Sequence, residues 1–270
     1  MPGDIIRLVQ ITDCHLTADA PVDEWPVDTE ATLAAVIERV RAEAADAVLA
    51  TGDLSQDGSV ESYRRVRALF GRLDVPVHCL PGNHDDPATL AETLAGDGVH
   101  VGRHLRHGDW QIVFLDSTVP GEDDGRLAAG ELAALDAALA EHPARHALVC
   151  LHHNPVVVGG AWRDLVTLAN PDELFAMLDR HAGVRGVLWG HIHQAFDGAR
   201  GGVKLMGTPS TCFQFVPGDD GGLAIGDDPP GYRRIELHAD GAITSELCWL
   251  DDLEGKPGAL ARAIAGRLEP

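Results

Sequence analysis

Residues 80–85 read LPGNHD, and this stretch decides how the chain is organised. It completes the apolar run at residues 75–80, whose composition predicts a β-strand. The Pro-Gly pair then breaks the strand into a tight turn. The turn presents Asn83 and His84 at the carboxyl end of a strand, where ligands bind in open α/β sheets. Taken alone, the hexapeptide is better explained as a hydrogen-bonded turn, so the other strand ends decide its interpretation.

Four other predicted strands end in side chains that bind metal ions. A single His or Asp is more often a loop, surface or core residue, but five such ends would need independent coincidences. Residues two apart on an extended backbone point the same way, so we expect Asp13 and His15 to face one ion, with Cys14 turned away. The same spacing applies to His191 and His193. The strand ends are Asp13 and His15 after residues 5–12, Asp53 after 45–50, His152 after 145–151, and His191 and His193 after 184–189.

The segments between these strands have apolar residues at helical spacing. Helices are predicted at 28–44 and 59–73, so the first 85 residues form a β-α-β-α-β pattern. This pattern is typical of an α/β protein with a parallel sheet covered by helices. Further predicted elements are helices at 87–95, 129–140, 171–180 and 260–268, a strand at 110–115, a hairpin at 195–205, and antiparallel strands at 232–237 and 243–250 joined by a turn at 238–241.

The composition is that of an acidic globular protein. The 270 residues include 21 Lys and Arg against 42 Asp and Glu, which gives a formal net charge of −21. Such a surface repels phosphate polymers, so we expect no binding to nucleic acid or to anionic membranes. No linker or shift in composition divides the chain. We expect a single domain over residues 1–270, with residues 251–270 as a C-terminal tail.

The cysteines and the apolar runs indicate a cytoplasmic protein. The five Cys are scattered without a C-x-x-C pair, and most lie in apolar runs, so we expect reduced, mostly buried thiols. Residues 1–10 lack the charged and apolar segments of a secretory signal. No run approaches the ~18 apolar residues of a transmembrane segment. Secretion and membrane insertion are therefore disfavoured.

Together, the five strand ends supply enough imidazole nitrogen and hard oxygen for two first-row metal ions about 3.5–4 Å apart. One carboxylate must bridge them, and Asp53 is the natural candidate because it follows the middle of the first three strands. Such mixed ligands suit Fe, Mn and Zn alike, so the metal identity stays open. Two metals activate a bridging water and neutralise phosphoryl oxygens, which suits hydrolysis of a phosphodiester. The leaving alkoxide needs a positioned acid, and His84 is our candidate.

The order D-x-H, G-D, G-N-H-D, H-H and G-H-x-H resembles the calcineurin-like metallophosphoesterase superfamily, and in particular its bacterial class III 3′,5′-cyclic-nucleotide phosphodiesterases. The segments QITDCHL, ATGDLSQD, LPGNHD, FLDS, LHHNP, GHIHQ, TPSTCFQF and ELHADG carry this resemblance, which covers about residues 9–241. It implies a four-layer α-β-β-α sandwich with a dinuclear metal site at the C-terminal strand ends. It also implies the ligand sets, which are Asp13, His15, Asp53 and His193 for one metal and Asp53, Asn83, His152 and His191 for the other.

The resemblance also implies residue roles beyond the metal ligands. His84 matches the leaving-group histidine of the family, and Asp53 joins it as a catalytic residue. Two positions depart from the family pattern: Asn154 follows the His pair where Pro or His is commoner, and Asp57 lies one residue further from Asp53 than the partner aspartate of the phosphatases. The second departure weakens Asp57 as the residue that orients His84. The implied substrate contacts are Asn83, His84, Asn170, His193 and Thr208.

Two loops are expected over the site, at residues 156–170 and 207–216, because loops at strand ends carry specificity. Trp162, Phe213 and Phe215 in these loops either stack on a base or pack in the core, and core packing is the more common use of a single aromatic residue.

By the resemblance, the chain hydrolyses 3′,5′-cyclic AMP to 5′-AMP by attack of a metal-bridging hydroxide. The alternative is a broad phosphodiesterase acting on 2′,3′-cyclic nucleotides or glycerophosphodiesters. A rival class is an inactive scaffold of the same fold, which is expected to lack ligands, and none is missing here. The expected partner is a small-molecule cyclic nucleotide or phosphodiester, and homodimer formation is left open.

Overall fold

The computed structural model describes residues 5–19, 27–102, 104–159, 167–217 and 223–250. The predicted helix at 260–268, the tail at 251–270 and Trp162 lie outside these residues. The helices are α1 (Thr29–Arg41), α2 (Val60–Phe70), α3 (Pro87–Leu94), α4 (Ala129–Glu141) and α5 (Pro171–Leu178). The strands are β1 (Ile6–Ile11), β2 (Ala47–Thr51), β3 (Val77–Leu80), β4 (Val99–Val101), β5 (His104–His107), β6 (Trp110–Phe114), β7 (His146–Cys150), β8 (Val184–Trp189), β9 (Phe196–Arg200), β10 (Val203–Gly207), β11 (Phe215–Pro217), β12 (Leu223–Ile225), β13 (Gly231–Leu237) and β14 (Ile243–Trp249).

Two six-stranded sheets form the centre of the fold. The first has the order β14-β13-β1-β2-β3-β4, and the second has the order β5-β6-β7-β8-β10-β9. Strands β1 to β4 run parallel, as do β6, β7, β8 and β10. Within each set, the carboxyl ends therefore lie at one edge of the sheet. The predicted β-α-β-α-β unit corresponds to β1 through β3 with α1 and α2.

Apolar side chains pack in three separate layers around the two sheets. Helices α1, α2 and α3 cover the outer face of the first sheet through a cluster that includes Leu33. Helices α4 and α5 cover the second sheet through a cluster that includes Leu135. Between the sheets, Leu49 of β2 and Leu148 of β7 belong to a third cluster. The order of layers is helix, sheet, sheet, helix, so the predicted four-layer α/β sandwich is confirmed.

Short elements are where the sequence-based prediction was incomplete. Strands β4 and β5 were not predicted, because β4 (VHV) has only three residues and β5 (HLRH) has four residues, none of them β-branched. The predicted loop at 207–216 ends in β11, which pairs with β12 as a two-stranded ribbon. Of the five cysteines, all but Cys248 are buried, as predicted. None of the described helices has the length and apolar character needed to cross a membrane.

Candidate metal centre

The carboxyl ends of β1, β2, β3, β7 and β8 converge, although these strands belong to two sheets. Backbone hydrogen bonds join the loops that leave them. The Asp13 amide donates to the Gly52 carbonyl at 3.0 Å, and the Gly190 amide donates to the His152 carbonyl at 3.2 Å. All the predicted metal ligands meet at this convergence, and each is buried or half-buried.

One group of ligand atoms comes from the ends of β1 and β8. Nε2 of His15 lies 3.0 Å from Nε2 of His193. The same atom of His193 lies 3.4 Å from Oδ1 of Asp13. Ligand atoms of all three residues lie within 4.8 Å of one another. The structure therefore brings these predicted ligands to positions from which they can bind one metal ion.

A second group comes from the ends of β3, β7 and β8. Oδ1 of Asn83 lies 3.1 Å from Nε2 of His152 and 3.0 Å from Nδ1 of His191. The two imidazole nitrogens are 3.3 Å apart. An amide oxygen between two imidazole nitrogens is a donor set that suits a first-row metal ion.

Asp53 lies between the two groups. Its Oδ2 is 3.3 Å from Nε2 of His152 and 3.7 Å from Nε2 of His15. One carboxylate oxygen thus adjoins a ligand of each group, as a bridging ligand must. The other oxygen, Oδ1, accepts the backbone N–H of His84 at 2.9 Å, which fixes the orientation of the carboxylate.

In three histidines, the hydrogen bond made by Nδ1 determines whether Nε2 carries a lone pair that can bind a metal ion. Nδ1 of His152 donates to the Thr51 carbonyl at 2.9 Å, and Nδ1 of His193 donates to the Phe213 carbonyl at 2.7 Å. Nδ1 of His15 lies 2.7 Å from Oε1 of Gln56. A ring that donates through Nδ1 presents a lone pair at Nε2, which is the form that binds metals.

The donor chemistry of the centre therefore fits a bound cation. With both Nδ1 atoms engaged as donors, the Nε2 lone pairs of His15 and His193 face each other across 3.0 Å. The carboxylates of Asp13 and Asp53 lie beside them. Such a set of converging acceptors is repulsive unless a positive charge lies among them.

Burial couples the charges of the centre strongly. Burial opposes ionisation of Asp53, but adjacent His152 holds the pKa of Asp53 well below its ordinary value. Burial likewise disfavours a charged His152, yet the Asp53 carboxylate raises the pKa of His152 to about 9. Burial lowers the pKa of His15 to about 3, so this ring is neutral at pH 7. Surroundings that favour a proton between His152 and Asp53 favour a bound cation at the same place.

The prediction that Asp13 and His15 share a site through an extended backbone was wrong in its mechanism. Their φ angles are 54° and 49°, and those of His191 and His193 are 67° and 47°. Asp53 has a φ of 49°. These values are left-handed, so period-two alternation ends with the strand. The side chains after β1, β2 and β8 converge because each of these three strands ends in a left-handed turn.

Two glycines permit the loops to approach the carboxylates. A Cβ on Gly82 would lie 2.2 Å from Oδ1 of Asp53, and a Cβ on Gly190 would lie 2.6 Å from Oδ2 of Asp13. Both distances are far inside van der Waals contact. The glycines of the G-N-H-D and G-H-x-H motifs are therefore required by the space beside the ligands.

Gly190→Ala is expected to weaken Mn²⁺ binding by about 10–100-fold, the usual effect of disturbing the support of a metal ligand. The added methyl group would lie 2.0 Å from Oγ1 of Thr12 and would displace the Asp13 carboxylate. Titration calorimetry with Mn²⁺ measures the change. Gly130→Ala is the matched control, because a Cβ on this α4 glycine meets nothing within 4 Å. Equal Mn²⁺ affinities for the two variants would show that the position of the Asp13 carboxylate does not require a glycine at residue 190.

Asp85 is a supporting residue that motif reasoning missed. Its buried carboxylate accepts the backbone N–H groups of Ser55 and Gly82, each at 2.9 Å, and that of Leu54 at 3.2 Å. The Tyr63 hydroxyl also donates to it at 3.0 Å. Asp85 thereby ties the loop after β2 to the loop after β3. The signal was present in the sequence, because Asp is the short acceptor that organises turns.

Asp57 does not orient His84 in this structure. Its oxygens accept the Ala18 backbone N–H at 2.8 Å and the Ser59 hydroxyl at 2.7 Å, at the start of α2. The His84 ring instead packs edge-on against His15, with the ring centroids 5.1 Å apart. His84 is half-buried, so it borders the centre and also reaches solvent.

Two of the predicted substrate contacts are occupied by structural hydrogen bonds. The Asn170 amide accepts the Leu127 backbone N–H and donates to the Leu127 carbonyl, both at 3.0 Å. The Thr208 hydroxyl is fully buried and bonds to Gln10 and Arg233. Both side chains therefore bind other parts of the chain in this structure.

The aromatic residues of the loop after β10 pack against ligand histidines. The Phe215 ring stacks on His193 with centroids 4.2 Å apart, and the Phe213 ring lies 5.3 Å from the same histidine. His153, which follows a ligand, is buried and bonds to the Ser117 hydroxyl and the Asp123 carbonyl. Both ring nitrogens of His153 thus have partners within the fold, although one of them lies within 4.8 Å of ligand atoms of His152 and His191.

Comparison with known proteins agrees with this geometry. Residues 6–195 match the family model described as calcineurin-like phosphoesterase. The chain is 39% identical over 250 residues to the 3′,5′-cyclic adenosine monophosphate phosphodiesterase CpdA of Pseudomonas aeruginosa, covering 92% of this chain and 91% of that protein. It is 38% identical over 256 residues to the protein of the same name from Haemophilus influenzae, covering 94% and 93%.

Among solved structures, a dimetal phosphatase from Danio rerio aligns with a TM-score of 0.64 over 90% of this chain and 98% of that one. At 15% sequence identity this similarity supports the fold alone. The family model covers well over half of the chain, and the curated relatives align over nearly their whole length. The chain therefore belongs to the calcineurin-like phosphoesterase family.

Proposed function

We propose that this chain is a metal-dependent phosphodiesterase that hydrolyses 3′,5′-cyclic AMP to 5′-AMP. The observation that carries the proposal is the pair of ligand groups that share Oδ2 of Asp53, with His84 beside them. Relatives named as cyclic AMP phosphodiesterases align with 37–39% identity over 90% or more of this chain, which supports the substrate.

The proposed cofactors are two metal ions, drawn from Fe, Mn and Zn. When bound, they supply Lewis-acid activation of water and neutralise the phosphoryl oxygens. The chain's own part is to aim its ligand lone pairs inward and to keep their outer N–H groups engaged. The ligand sets are Asp13, His15, Asp53 and His193 for one ion, and Asp53, Asn83, His152 and His191 for the other.

His84 is the proposed acid for the leaving group. Its backbone N–H is anchored to Asp53, while its half-buried ring lies at the border of the centre. Cleavage to 5′-AMP breaks the bond between phosphorus and O3′, and O3′ needs a proton as it leaves. An imidazole is suited to supply that proton near neutral pH.

The apolar residues beside His193 support a nucleotide as the substrate. Phe215 stacks on His193. In the two-stranded ribbon of β11 and β12, Phe215 lies directly opposite Ile225. Directly opposed residues of an antiparallel pair lie on the same face, so Ile225 extends the apolar surface next to the centre. Ile225 is 42% exposed, which leaves its side chain free to contact a flat, apolar base.

A broad phosphodiesterase acting on 2′,3′-cyclic nucleotides or glycerophosphodiesters is the second candidate, because the centre recognises a phosphoryl group and not its substituents. A single domain over residues 1–270, a cytoplasmic location and a homodimer stay predictions, as do substrate contacts from Asn83, His84, Asn170, His193 and Thr208.

We expect kcat/KM for 3′,5′-cyclic AMP to exceed that for other phosphoesters by about tenfold or more, a difference of about 1.4 kcal/mol in transition-state stabilisation. The measurement compares 3′,5′-cyclic AMP, 2′,3′-cyclic AMP, glycerophosphoethanolamine and a phosphomonoester at the same Mn²⁺ loading. A rate for 2′,3′-cyclic AMP far above that for 3′,5′-cyclic AMP would favour the second candidate.

The proposed contact between Ile225 and the base can be tested with a substitution in the same assay. Ile225→Ser is expected to lower kcat/KM for 3′,5′-cyclic AMP by about tenfold, because burying an aliphatic side chain against a base is worth about 1.5 kcal/mol. The rate for glycerophosphoethanolamine, which has no base, should not change. Val60→Ser on α2 is the matched control, since Val60 is 37% exposed on another element. Equal losses for both substrates would argue against a base contact at Ile225.

A further inference from the structure

We propose that Arg233 and Thr208 are positioning residues that align the ligand-bearing ends of β1, β2 and β8 through Gln10. Arg233 lies on β13 in the first sheet, and Thr208 directly follows β10 in the second. The inference concerns the metal centre and does not depend on the identity of the substrate.

Arg233 is a buried cation whose hydrogen bonds cross from one sheet to the other. Its side chain is 1% exposed, an unusual state for an arginine unless every donor is paired. Its charge is balanced by Asp197 of β9, with Nη1 lying 2.9 Å from Oδ1 of Asp197. The remaining donors bind the Thr208 hydroxyl, the Ser245 hydroxyl and the carbonyls of Phe196 and Gly207.

Thr208 connects Arg233 to Gln10 through hydrogen bonds of its hydroxyl group. Nε of Arg233 donates to Oγ1 of Thr208 at 3.2 Å, and the Thr208 hydroxyl donates to Oε1 of Gln10. Nε2 of Gln10 then donates to Oγ1 of Thr51 at 2.8 Å and to the Trp189 carbonyl at 3.1 Å. The side chains of Arg233, Thr208, Gln10 and Thr51 are buried.

Three residues of this network stand two or three positions before proposed metal ligands. Thr51 is two residues before Asp53, Trp189 is two residues before His191, and Gln10 is three residues before Asp13.

Apolar packing between the sheets has little directional preference, whereas buried hydrogen bonds fix distance and angle. The network thus sets the register of three strand ends from two sheets, and the spacing of the metal ligands follows from that register.

Thr208→Val tests this inference, because it keeps the shape of the side chain and removes the hydroxyl. We expect Mn²⁺ affinity to fall by about tenfold, as for the loss of other supports behind metal ligands. Thr208→Ser restores a hydroxyl and should bind Mn²⁺ like the wild type. Thr244→Val is the matched control, since Thr244 bonds to Glu236 at an exposed position on β14.

The rise in Tm on adding Mn²⁺ separates positioning from general stability. A purely structural change lowers the Tm of metal-free and metal-loaded protein alike, whereas weaker binding shrinks the rise itself. Arg233→Lys is the second variant, because a lysine keeps the charge but has no Nε donor for Thr208. We expect it to shrink the rise as Thr208→Val does.

An unchanged rise in both variants would overturn the inference. So would a higher KM for 3′,5′-cyclic AMP in Thr208→Val with wild-type Mn²⁺ affinity, since that result would make Thr208 a substrate contact. If wild-type protein bound no Mn²⁺, the metal centre itself would be refuted, and this inference with it.

Discussion

Asp53→Asn is expected to lower kcat/KM by about 10³-fold or more, which corresponds to about 4 kcal/mol of transition-state stabilisation. One oxygen of Asp53 adjoins both ligand groups, at 3.3 Å from His152 and 3.7 Å from His15. An amide of the same shape removes the negative charge that attracts two cations. It also presents an NH₂ group, which cannot bind a metal, to one side of the centre.

The loss should be visible in metal content as well as in rate. Wild-type protein saturated with Mn²⁺ or Fe²⁺ is expected to retain two equivalents after desalting, and Asp53→Asn is expected to retain fewer. Asp57→Asn provides the control, because Asp57 is a nearby carboxylate that accepts hydrogen bonds from Ala18, Ser55 and Ser59. Two tightly held equivalents in Asp53→Asn would contradict a bridging carboxylate, and fewer than two in the wild type would contradict a dinuclear centre.

His84→Ala should leave metal binding intact and slow turnover of 3′,5′-cyclic AMP by about 10²–10⁴-fold, the range of general acid catalysis. The proposed ligand sets do not include His84, and its backbone N–H bond to Asp53 survives the substitution. Loss of the ring removes the proton that O3′ takes up, so the effect depends on the leaving group.

A comparison of two leaving groups tests this assignment. A nitrophenyl phosphodiester leaves as a stable phenolate and should be slowed far less than cyclic AMP, with Mn²⁺ content equal to that of the wild type. His100→Ala is the control, because His100 is an exposed histidine on β4. If His84→Ala slowed both substrates by the same factor, His84 would not be acting as the acid.

The sequence predicted the strand ends that carry the proposed ligands better than the way these side chains converge. The strand ends at Asp53, His152 and His191 follow runs of β-branched and apolar residues, so the ends of β2, β7 and β8 were readable within a residue or two. Left-handed φ angles at Asp13 and His15 were not readable, because neither residue is glycine. A left-handed φ is uncommon in residues other than glycine, and the enrichment of Asp and His among the exceptions does not identify which position adopts it.

Contacts between distant segments could not be predicted from local patterns. Gln56 lies behind His15 only because β1 pairs with β2, and the Phe213 carbonyl lies behind His193 only because β8 pairs with β10. Thr208 illustrates the same limit, since its motif suggested a substrate contact while the fold turns its hydroxyl toward Gln10 and Arg233. The short strands β4 and β5 are too short to be recognised from their own sequences. They form because their backbones pair with β3 and β6.

The left-handed backbone at three of the proposed ligand histidines bears on how this protein can be engineered. His15, His191 and His193 each hold a conformation that costs an L-residue roughly 1 kcal/mol, and glycine would adopt it freely. A directed-evolution campaign that ranks metal-free variants by heat resistance would therefore reward replacing these ligands. Robust but inert proteins would accumulate in such a library. Heat challenge in the presence of Mn²⁺ selects for the opposite outcome. Bound ions stabilise the folded state, so variants that keep the metal-binding histidines survive the challenge better.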